Sequence, residues 1–166
     1  MGITAPEPIS PDHNFANFTC GKPVLDDWLI KKALKNQTDS GSRTYVVTDS
    51  DLDQVVGYYC ISTGSVSHEL APGKVRRNMP DPIPIILLGR LAVDVGYAKQ
   101  GIGRGLMKDC YKRVASVAEQ VGVRALLVHA LDEESRQYYL NLGFTESTIQ
   151  ERTLMIRMKD IVASLH

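Results

Sequence analysis

Residues 85–105 read IILLGRLAVDVGYAKQGIGRG, and this stretch decides the predicted fold. Its first part, residues 85–93, is nearly continuous in apolar residues, as expected of a strand that is covered on both faces. Three glycines follow within residues 101–105, and apolar residues then recur at intervals of three and four, which predicts a helix over residues 104–121. Gly122 ends that helix. The order strand, glycine turn and helix indicates the first part of a βαβ unit.

The segment after this helix completes the unit. Residues 123–130 (VRALLVHA) form a second apolar strand, and the crossover connection makes it a parallel neighbour of strand 85–93. Asp132 then caps a short helix over residues 133–142, whose first turn is acidic, as the helix dipole favours. Gly143 ends this helix.

The flanking segments predict antiparallel strands and one more helix. Pro23 begins that helix, because proline suits the first helical position. Its apolar stripe consists of Val24, Leu25, Trp28, Leu29 and Ala33. Residues 43–48 and 54–67 are predicted to form a hairpin, residues 68–84 a long loop stiffened by prolines, and residues 152–158 a final strand.

These elements together predict an α/β fold in a single domain over residues 1–166. The sheet is expected to be mixed and mostly antiparallel, with a central parallel βαβ unit and helices on both faces. Hydrophobic residues make up 43% of the chain and charged residues 23%, which is typical of a globular protein with one core. Nineteen basic residues balance nineteen acidic ones, so a protein that coats nucleic acid over its whole surface is excluded.

Composition also predicts the compartment. No apolar run approaches the ~20 residues that span a bilayer, and no secretory signal opens the chain. The three cysteines are odd in number, far apart and without a C-x-x-C motif, which favours free thiols in a reducing cytosol. The four histidines lack metal-ligand spacing. We therefore expect a cytoplasmic protein with no membrane partner and no metal.

The glycine turn has the properties of an anion site. Glycines let the backbone approach a ligand closely, and the N–H groups that begin a helix point toward an anion. The turn lacks the G-K-[ST] ending of a Walker A loop, and a Rossmann fingerprint needs glycine where Leu106 stands. The residues alone leave a pyrophosphate site and a plain strand-to-helix turn as the alternatives.

Two motifs resemble those of the GCN5-related N-acetyltransferases, the GNAT family. The turn matches the family pattern Q/R-x-x-G-x-G/A, and residues 138–144 (YYLNLGF) match the Y-x-x-x-G-F signature. This resemblance implies the GNAT fold and acetyl-CoA as co-substrate. It places the cofactor on the backbone of strand residues Leu91, Ala92 and Val93 and of turn residues Gln100, Gly101, Ile102, Gly103, Arg104 and Gly105.

The same resemblance assigns a role to Tyr139. It lies near the CoA sulfur in the family register and is the candidate acid for the leaving thiolate, whereas Tyr138 is left to packing. Asp132 stands where many family members have asparagine, which is a departure at the CoA arm. No general base is evident, because Asp94 and Glu133 are equally well explained as structural and His129 as a satisfied core histidine.

Basic residues concentrate around the glycine turn. The interval from Lys74 to Arg104 has a local charge of +4 on a neutral protein, which indicates a phosphate-rich partner.

The absence of an evident general base is tolerable if the attacking amine has a low pKa. An ordinary α-amine titrates near 7.7–8.0, and esterification of the adjacent carboxyl lowers that value further. An aminoacyl ester is such an amine.

Along nearly its full length, the chain resembles the tRNA-acetylating toxins of type II toxin–antitoxin modules. Segments that carry the likeness include residues 3–10 (ITAPEPIS), 76–84 (RRNMPDPIP) and 150–158 (QERTLMIRM). The resemblance implies transfer of acetyl from acetyl-CoA to the α-amine of aminoacyl-tRNA, which blocks translation. Candidate tRNA contacts are Arg76, Arg77 and Arg90.

The resemblance also implies partners. They are a second copy of the chain in a homodimer, a ribbon-helix-helix antitoxin, and operator DNA bound through the antitoxin complex, which acts as a repressor. Two other functions stay open at this point. One is a GNAT acetyltransferase for a small amine or a protein N-terminus, and the other is a CoA-binding module that has lost catalysis.

Overall fold

A computed structural model of the chain describes residues 2–166 and contains seven strands and six helices within that range. The strands are β1 (Glu7–Pro8), β2 (Arg43–Asp49), β3 (Gln54–Val66), β4 (Ile83–Val93), β5 (Ala125–His129), β6 (Thr145–Glu146) and β7 (Thr153–Arg157). The helices are α1 (Pro23–Lys31), α2 (Ala33–Thr38), α3 (Gly73–Arg76), α4 (Ile102–Ala118), α5 (Glu133–Asn141) and α6 (Met158–Ser164).

The strands form one seven-stranded sheet in the order β1-β2-β3-β4-β5-β7-β6. β4 and β5 are parallel, with Ile85 opposite Ala125 and Leu88 opposite Val128. The pairs β1–β2, β2–β3, β5–β7 and β6–β7 are antiparallel. The predicted mixed, mostly antiparallel sheet with a parallel βαβ unit is therefore confirmed, as is the hairpin of β2 and β3.

The chain divides into two compact units. The first comprises Met1–Ser62 and Gly89–Cys110. Its core is built around Tyr58, which is fully buried. The Tyr58 ring meets Phe18 edge-on at 5.6 Å between ring centroids and stacks on Trp28 at 6.0 Å, and its hydroxyl donates to the Leu25 carbonyl oxygen at 2.7 Å. These contacts fasten α1 to β3 in this unit.

The second unit comprises Thr63–Leu88 and Tyr111–His166. Its core contains one face of the parallel strand pair, represented by Ile85 and Leu127, together with Val75 from α3 and Met155 from β7. The Arg124 guanidinium donates to the carbonyl oxygens of Lys74 and Val75 at 2.8 Å each, and so holds α3 beside the start of β5. The segment between β3 and β4 is thus packed on the sheet rather than loose.

Gly57 on β3 allows α4 to begin close to the sheet. A Cβ atom at this position would lie 3.0 Å from a methyl carbon of Val47, 3.1 Å from one of Ile102 and 3.3 Å from one of Leu106. These distances are shorter than ordinary van der Waals contact, so a larger residue would displace the first turn of α4. Because Ile102 belongs to the glycine turn, the missing side chain at Gly57 lets that turn lie close to β3.

The predicted helix after Pro23 is interrupted in the structure. Lys32 adopts φ −127° and ψ −25°, and it separates α1 from α2. Trp28, Leu29 and Ala33 are buried as expected, but Val24, the first member of the predicted stripe, is 54% exposed. Periodicity marks the apolar face of a helix, but it does not show how far the neighbouring elements extend along that face.

Three further element predictions need correction. α4 ends at Ala118 rather than at residue 121, and Val117 and Val121 are exposed. The predicted loop over residues 68–84 contains the short helix α3. The final strand leads directly into α6, which buries Ile161. Among residues 2–166, no helix has both the length and the apolar character needed to cross a membrane.

Candidate active site

The backbone enters α4 through two residues with positive φ. Lys99 and Gly101 both lie in the left-handed region, at φ 64° and 81°. The Gly105 amide donates to the Gly101 carbonyl oxygen at 3.0 Å, so the helix begins immediately after Gly101. The N–H groups of Ile102, Gly103 and Arg104 therefore lie in the first turn, where the helix offers them no carbonyl acceptor. Together with the helix dipole, they form an anion site.

Open space lies in front of this turn. A Cβ atom on Gly101 or Gly105 would meet no heavy atom within 4 Å. A cavity of about 250 Å³ borders the turn, and its walls are Ile3, Thr4, Pro6, Val47, Gln100, Gly101, Ile102, Gly105 and Leu106. The N-terminal segment thus lines a cavity beside the turn, a placement that sequence analysis missed. The exposed backbone donors and the free approach both fit a diphosphate group.

The strand end before the turn is ordered by Asp94. This buried carboxylate accepts from the backbone N–H groups of Thr19 at 3.1 Å and Gly96 at 2.9 Å. The Asp94 amide in turn donates to the Val56 carbonyl oxygen at 2.8 Å. Asp94 therefore has a structural role. It fixes the end of β4, where Leu91 and Val93 are half-buried and Ala92 is buried.

Tyr139 lies on α5 and is 6% exposed. Gly143, at φ 97°, reverses the chain after α5, and the Phe144 amide then donates to the Tyr139 carbonyl oxygen at 3.1 Å. This turn places the Phe144 ring against the Tyr139 ring, with 5.3 Å between centroids. Tyr138 meets the same ring edge-on at 5.2 Å and is itself 36% exposed, so it packs against Tyr139 from the surface of the helix.

Asp132 caps α5 as predicted. Its carboxylate accepts from the Ser135 amide at 2.9 Å, which satisfies one N–H group of the first helical turn. The residue that departs from the family pattern is therefore used to begin the helix that carries Tyr139. An aspartate serves this purpose as well as an asparagine does.

Arg136 ties α5 to β6. Its guanidinium donates to both carboxylate oxygens of Glu146, at 2.9 and 2.8 Å, and to Glu133 at 2.8 Å. Glu146 also accepts from the Arg152 amide at 2.8 Å. The hydrogen bonds from Arg136, and then that from the Arg152 amide, lower the pKa of Glu146 to about 2. This bidentate pair holds the helix one turn before Tyr139.

We expect Glu146→Gln to destabilise the protein near neutral pH. The carboxylate has a lower pKa when folded than its ordinary value of 4.5, so its stabilising effect is complete above that value and is lost as the pH falls toward about 2. Urea unfolding of both proteins across this range should show a difference that shrinks on acidification. Glu151→Gln is the control, because Glu151 lines a cavity of about 510 Å³ together with Arg136 and Glu146 but makes no ion pair within residues 2–166. A difference that is independent of pH would contradict this account.

The three predicted tRNA contacts differ in their surroundings. Arg76 is exposed, and its guanidinium donates weakly, at 3.4 Å, to the carbonyl oxygens of His68 and Ala71. The Arg77 side chain is exposed and makes no hydrogen bond or ion pair within residues 2–166. Arg90 belongs to the first unit, where its guanidinium carbon lies 4.5 Å from the Trp28 ring centroid. Arg90 is thus half-buried and packed, whereas Arg77 is available.

His129 is not the core histidine that was expected. It ends β5 with an exposed side chain, and its Nδ1 lies 3.0 Å from the Thr153 hydroxyl oxygen. The alternation along β5 places it on the same face as Leu127, a signal that the sequence contained. Within residues 2–166, no group of three or more histidine, cysteine or acidic side chains is arranged to bind a metal ion.

The chain is similar in sequence to an acetyltransferase domain family and to two toxins. A model of the acetyltransferase (GNAT) domain matches residues 40–146. A tRNA-acetylating toxin of Mycobacterium tuberculosis is 45% identical over 159 residues, covering 96% of this chain and 95% of the relative. A probable toxin TacT of Sinorhizobium fredii is 34% identical over 134 residues, covering 77% and 74% of the two chains.

Solved structures show the same architecture. AtaT complexed with acetyl-methionyl-tRNAfMet has a TM-score of 0.89 at 27% identity, with 99% of each chain covered. A mutant AtaT toxin bound to acetyl-CoA and to the C-terminus of the antitoxin AtaR has a TM-score of 0.84 at 25% identity, again over 99% of each chain. The KacTA–DNA complex has a TM-score of 0.81 at 29% identity, over 98% of each chain.

Proposed function

This chain belongs to the GNAT family of acetyltransferases, and from that premise we propose that it transfers acetyl from acetyl-CoA to the α-amine of aminoacyl-tRNA. The observation that carries the proposal is the 45% identity to a tRNA-acetylating toxin over 96% of the chain. Transfer to this amine blocks translation, which makes the protein a toxin. We further propose that residues 1–166 act as one acetyltransferase domain, which the near-complete coverage supports.

We assign the cofactor to the glycine turn and to the end of β4. The backbone N–H groups of residues 100–105 hold the diphosphate, and the helix dipole of α4 adds to this attraction. The backbone of residues 91–93 pairs with the amides of the pantetheine arm. When bound, acetyl-CoA supplies the thioester that is the acetyl donor. The empty space around Gly101 and Gly105 supports this assignment.

Tyr139 is assigned as the general acid. Departure of the thiolate requires a proton, and a phenol is a suitable donor to a developing thiolate. The ring packs against those of Phe144 and Tyr138, and these contacts restrict the directions in which its hydroxyl can point. A fixed donor is effective because no reorganisation is needed during the reaction.

We assign the tRNA to the basic segment at the end of α3. Arg77 has no competing partner within residues 2–166, and Arg76 makes only long hydrogen bonds, so both guanidinium groups are available to phosphates. Arg90 is packed on Trp28. It also lies near Cys60, where burial raises the pKa of the thiol and the positive charge of Arg90 partly opposes that rise. Its contact with tRNA stays a prediction.

Arg77→Glu is expected to raise KM for aminoacyl-tRNA about tenfold at low salt and to leave KM for acetyl-CoA unchanged. The variant removes one phosphate contact and adds a repulsive charge. Lys112→Glu is the matched control, because it makes the same charge reversal on an exposed helical position of the second unit. Steady-state kinetics at two salt concentrations check the prediction. An equal effect of both variants would show that only net charge matters.

We also propose the partners of such a toxin. AtaT has been captured with its antitoxin, and KacTA with DNA, and this chain covers those toxin folds almost completely. The partners are a second copy of the chain, a ribbon-helix-helix antitoxin, and operator DNA bound by the repressing complex. We place the protein in the cytoplasm, where aminoacyl-tRNA and acetyl-CoA are both found.

Labelled acetyl-CoA tests the proposed function. The protein is incubated with bulk aminoacyl-tRNA, with the same tRNA after deacylation, with a polyamine, or with a peptide that has a free N-terminus. We expect label on the charged tRNA alone. Equal label on both tRNA samples would contradict the proposal. Label on the polyamine or peptide without tRNA would identify the chain as a different GNAT acetyltransferase.

A further inference from the structure

The cavity beside the glycine turn has the N-terminal segment as one of its walls. Its volume is about 250 Å³, and all of its lining residues belong to the first unit. The apolar part of the lining consists of Ile3, Pro6, Val47, Ile102 and Leu106. None of the lining residues, all of which the structure describes, carries a charge. The cavity therefore suits an uncharged ring better than a phosphate or an ammonium group, because burial of a charge without a counter-charge costs free energy.

Hydrogen bonds to the end of β2 hold this N-terminal wall in place. The Thr4 amide donates to the Thr48 carbonyl oxygen at 2.9 Å, and the Thr48 amide donates to the Thr4 hydroxyl oxygen at 2.9 Å. The amide and the hydroxyl of Ser50 both donate to the Gly2 carbonyl oxygen, at 3.0 and 2.9 Å. A wall that is already ordered loses little conformational freedom when a ligand binds, which favours affinity.

Thr4 also offers a hydrogen-bond donor to the cavity. Its hydroxyl oxygen already accepts from the Thr48 amide, but a hydroxyl group can accept and donate at the same time. The side chain is half-buried, and its hydroxyl hydrogen has no acceptor within residues 2–166. Gln100 belongs to the same lining, and its carboxamide can both donate and accept. A heteroaromatic ring that has acceptor nitrogens and an amino group matches these polar groups.

The cavity adjoins the proposed diphosphate site, because Gln100, Gly101 and Gly105 belong to both. In CoA, the diphosphate joins two arms, which are the pantetheine arm and the adenosine. Since the pantetheine arm is assigned to residues 91–93, the adenosine has to leave the turn on another side. A volume of about 250 Å³ is less than the ~300–1,000 Å³ of pockets that hold a whole drug-sized ligand, so it suits a single ring system.

We propose that this cavity binds the adenine ring of acetyl-CoA, with the Thr4 hydroxyl donating to a ring nitrogen. The inference rests on the proposed function and deepens it, because it gives the N-terminal segment a part in cofactor binding. The apolar walls cover the faces of the ring, and Thr4 and Gln100 meet its polar edge.

Titration calorimetry of the full-length protein with two ligands tests this inference. The ligands are acetyl-CoA and acetyl-4′-phosphopantetheine, which lacks the adenosine. We expect Thr4→Val to raise the Kd of acetyl-CoA about fivefold, because one hydrogen bond to the ring is lost, whereas Thr4→Ser keeps the hydroxyl and the affinity. Ile3→Ala should raise the same Kd about threefold, since it removes part of an apolar wall. Neither Thr4→Val nor Ile3→Ala should change the Kd of acetyl-4′-phosphopantetheine. Val24→Ala is the matched control, because it shortens an exposed apolar side chain of the same unit outside the cavity lining.

The outcomes separate this inference from the proposed function. Thr4→Val also removes the acceptor of the Thr48 amide, so its melting temperature is measured beside its affinity. Lower stability with unchanged binding of both ligands, or equal weakening of both ligands, would show a structural role and overturn the inference. If only Gly105→Glu weakens acetyl-CoA binding, the adenosine lies elsewhere and the proposed function stands. A wild-type protein that does not bind acetyl-CoA would refute both.

Discussion

Tyr139→Phe is expected to lower kcat for acetyl transfer by about 10²–10³-fold, because the variant has no acid to protonate the leaving thiolate. The substitution removes one hydroxyl and keeps the ring. The contacts at 5.3 Å with Phe144 and 5.2 Å with Tyr138 are therefore retained, and the melting temperature should stay close to that of the wild type. The Kd of acetyl-CoA should also be unchanged, since the glycine turn is untouched.

Single-turnover acetylation of aminoacyl-tRNA measures this effect directly. Tyr138→Phe is the matched control, because it removes the same atom from the neighbouring, 36% exposed ring and should leave kcat unchanged. A Tyr139→Phe protein that is folded, binds acetyl-CoA and turns over at the wild-type rate would refute the role of general acid. A fall in kcat for both variants would assign the effect to the aromatic cluster as a whole.

Gly105→Glu is expected to weaken acetyl-CoA binding by about tenfold or more, because a carboxylate beside the first turn of α4 repels the diphosphate. The side chain has room, since a Cβ atom at this position meets nothing within 4 Å. A negative charge near a helix N-terminus also favours the helix, so the free energy of unfolding should not fall. Binding and stability are thus predicted to change independently.

Gly105→Ala is the control for this variant. Alanine is favoured over glycine inside a helix, so the free energy of unfolding should rise by about 0.5–1 kcal/mol. The family turn accepts alanine at this position, so the affinity for acetyl-CoA should be retained. Titration calorimetry with acetyl-CoA and urea unfolding give both quantities. Wild-type affinity in Gly105→Glu would place the diphosphate elsewhere on the protein.

The βαβ unit could be predicted because its signals are local. The apolar run of β4, the glycines before α4 and the spacing of apolar residues along that helix each depend on neighbours within a few positions. The same is true of Gly143, whose left-handed conformation returns Phe144 to Tyr139. In both cases, a short stretch of sequence determines a turn, and the turn determines which residues meet.

Features that depend on contacts between segments distant in the sequence could not be predicted from local patterns. The neighbouring residues in the sequence predict that His129 and Val24 are buried. Both are exposed in the structure, because the elements beside them do not extend over their side chains. The placement of Ile3 and Thr4 in the cavity that Gln100 also lines depends on pairing between the N-terminal segment and β2, which is distant in sequence. Arg136 and Glu146 likewise form their pair only once β6 has joined β7.

The atom of aminoacyl-tRNA that receives the acetyl group decides whether this chain has the proposed activity. Aminoacyl-tRNA is incubated with the protein and acetyl-CoA, digested to nucleosides, and the aminoacyl-adenosine is analysed by mass spectrometry with fragmentation. We expect one added acetyl group on the amino nitrogen of the amino acid, present with wild-type protein and nearly absent with Tyr139→Phe. Acetyl found on a nucleobase or ribose, or in equal amount on deacylated tRNA, would contradict it.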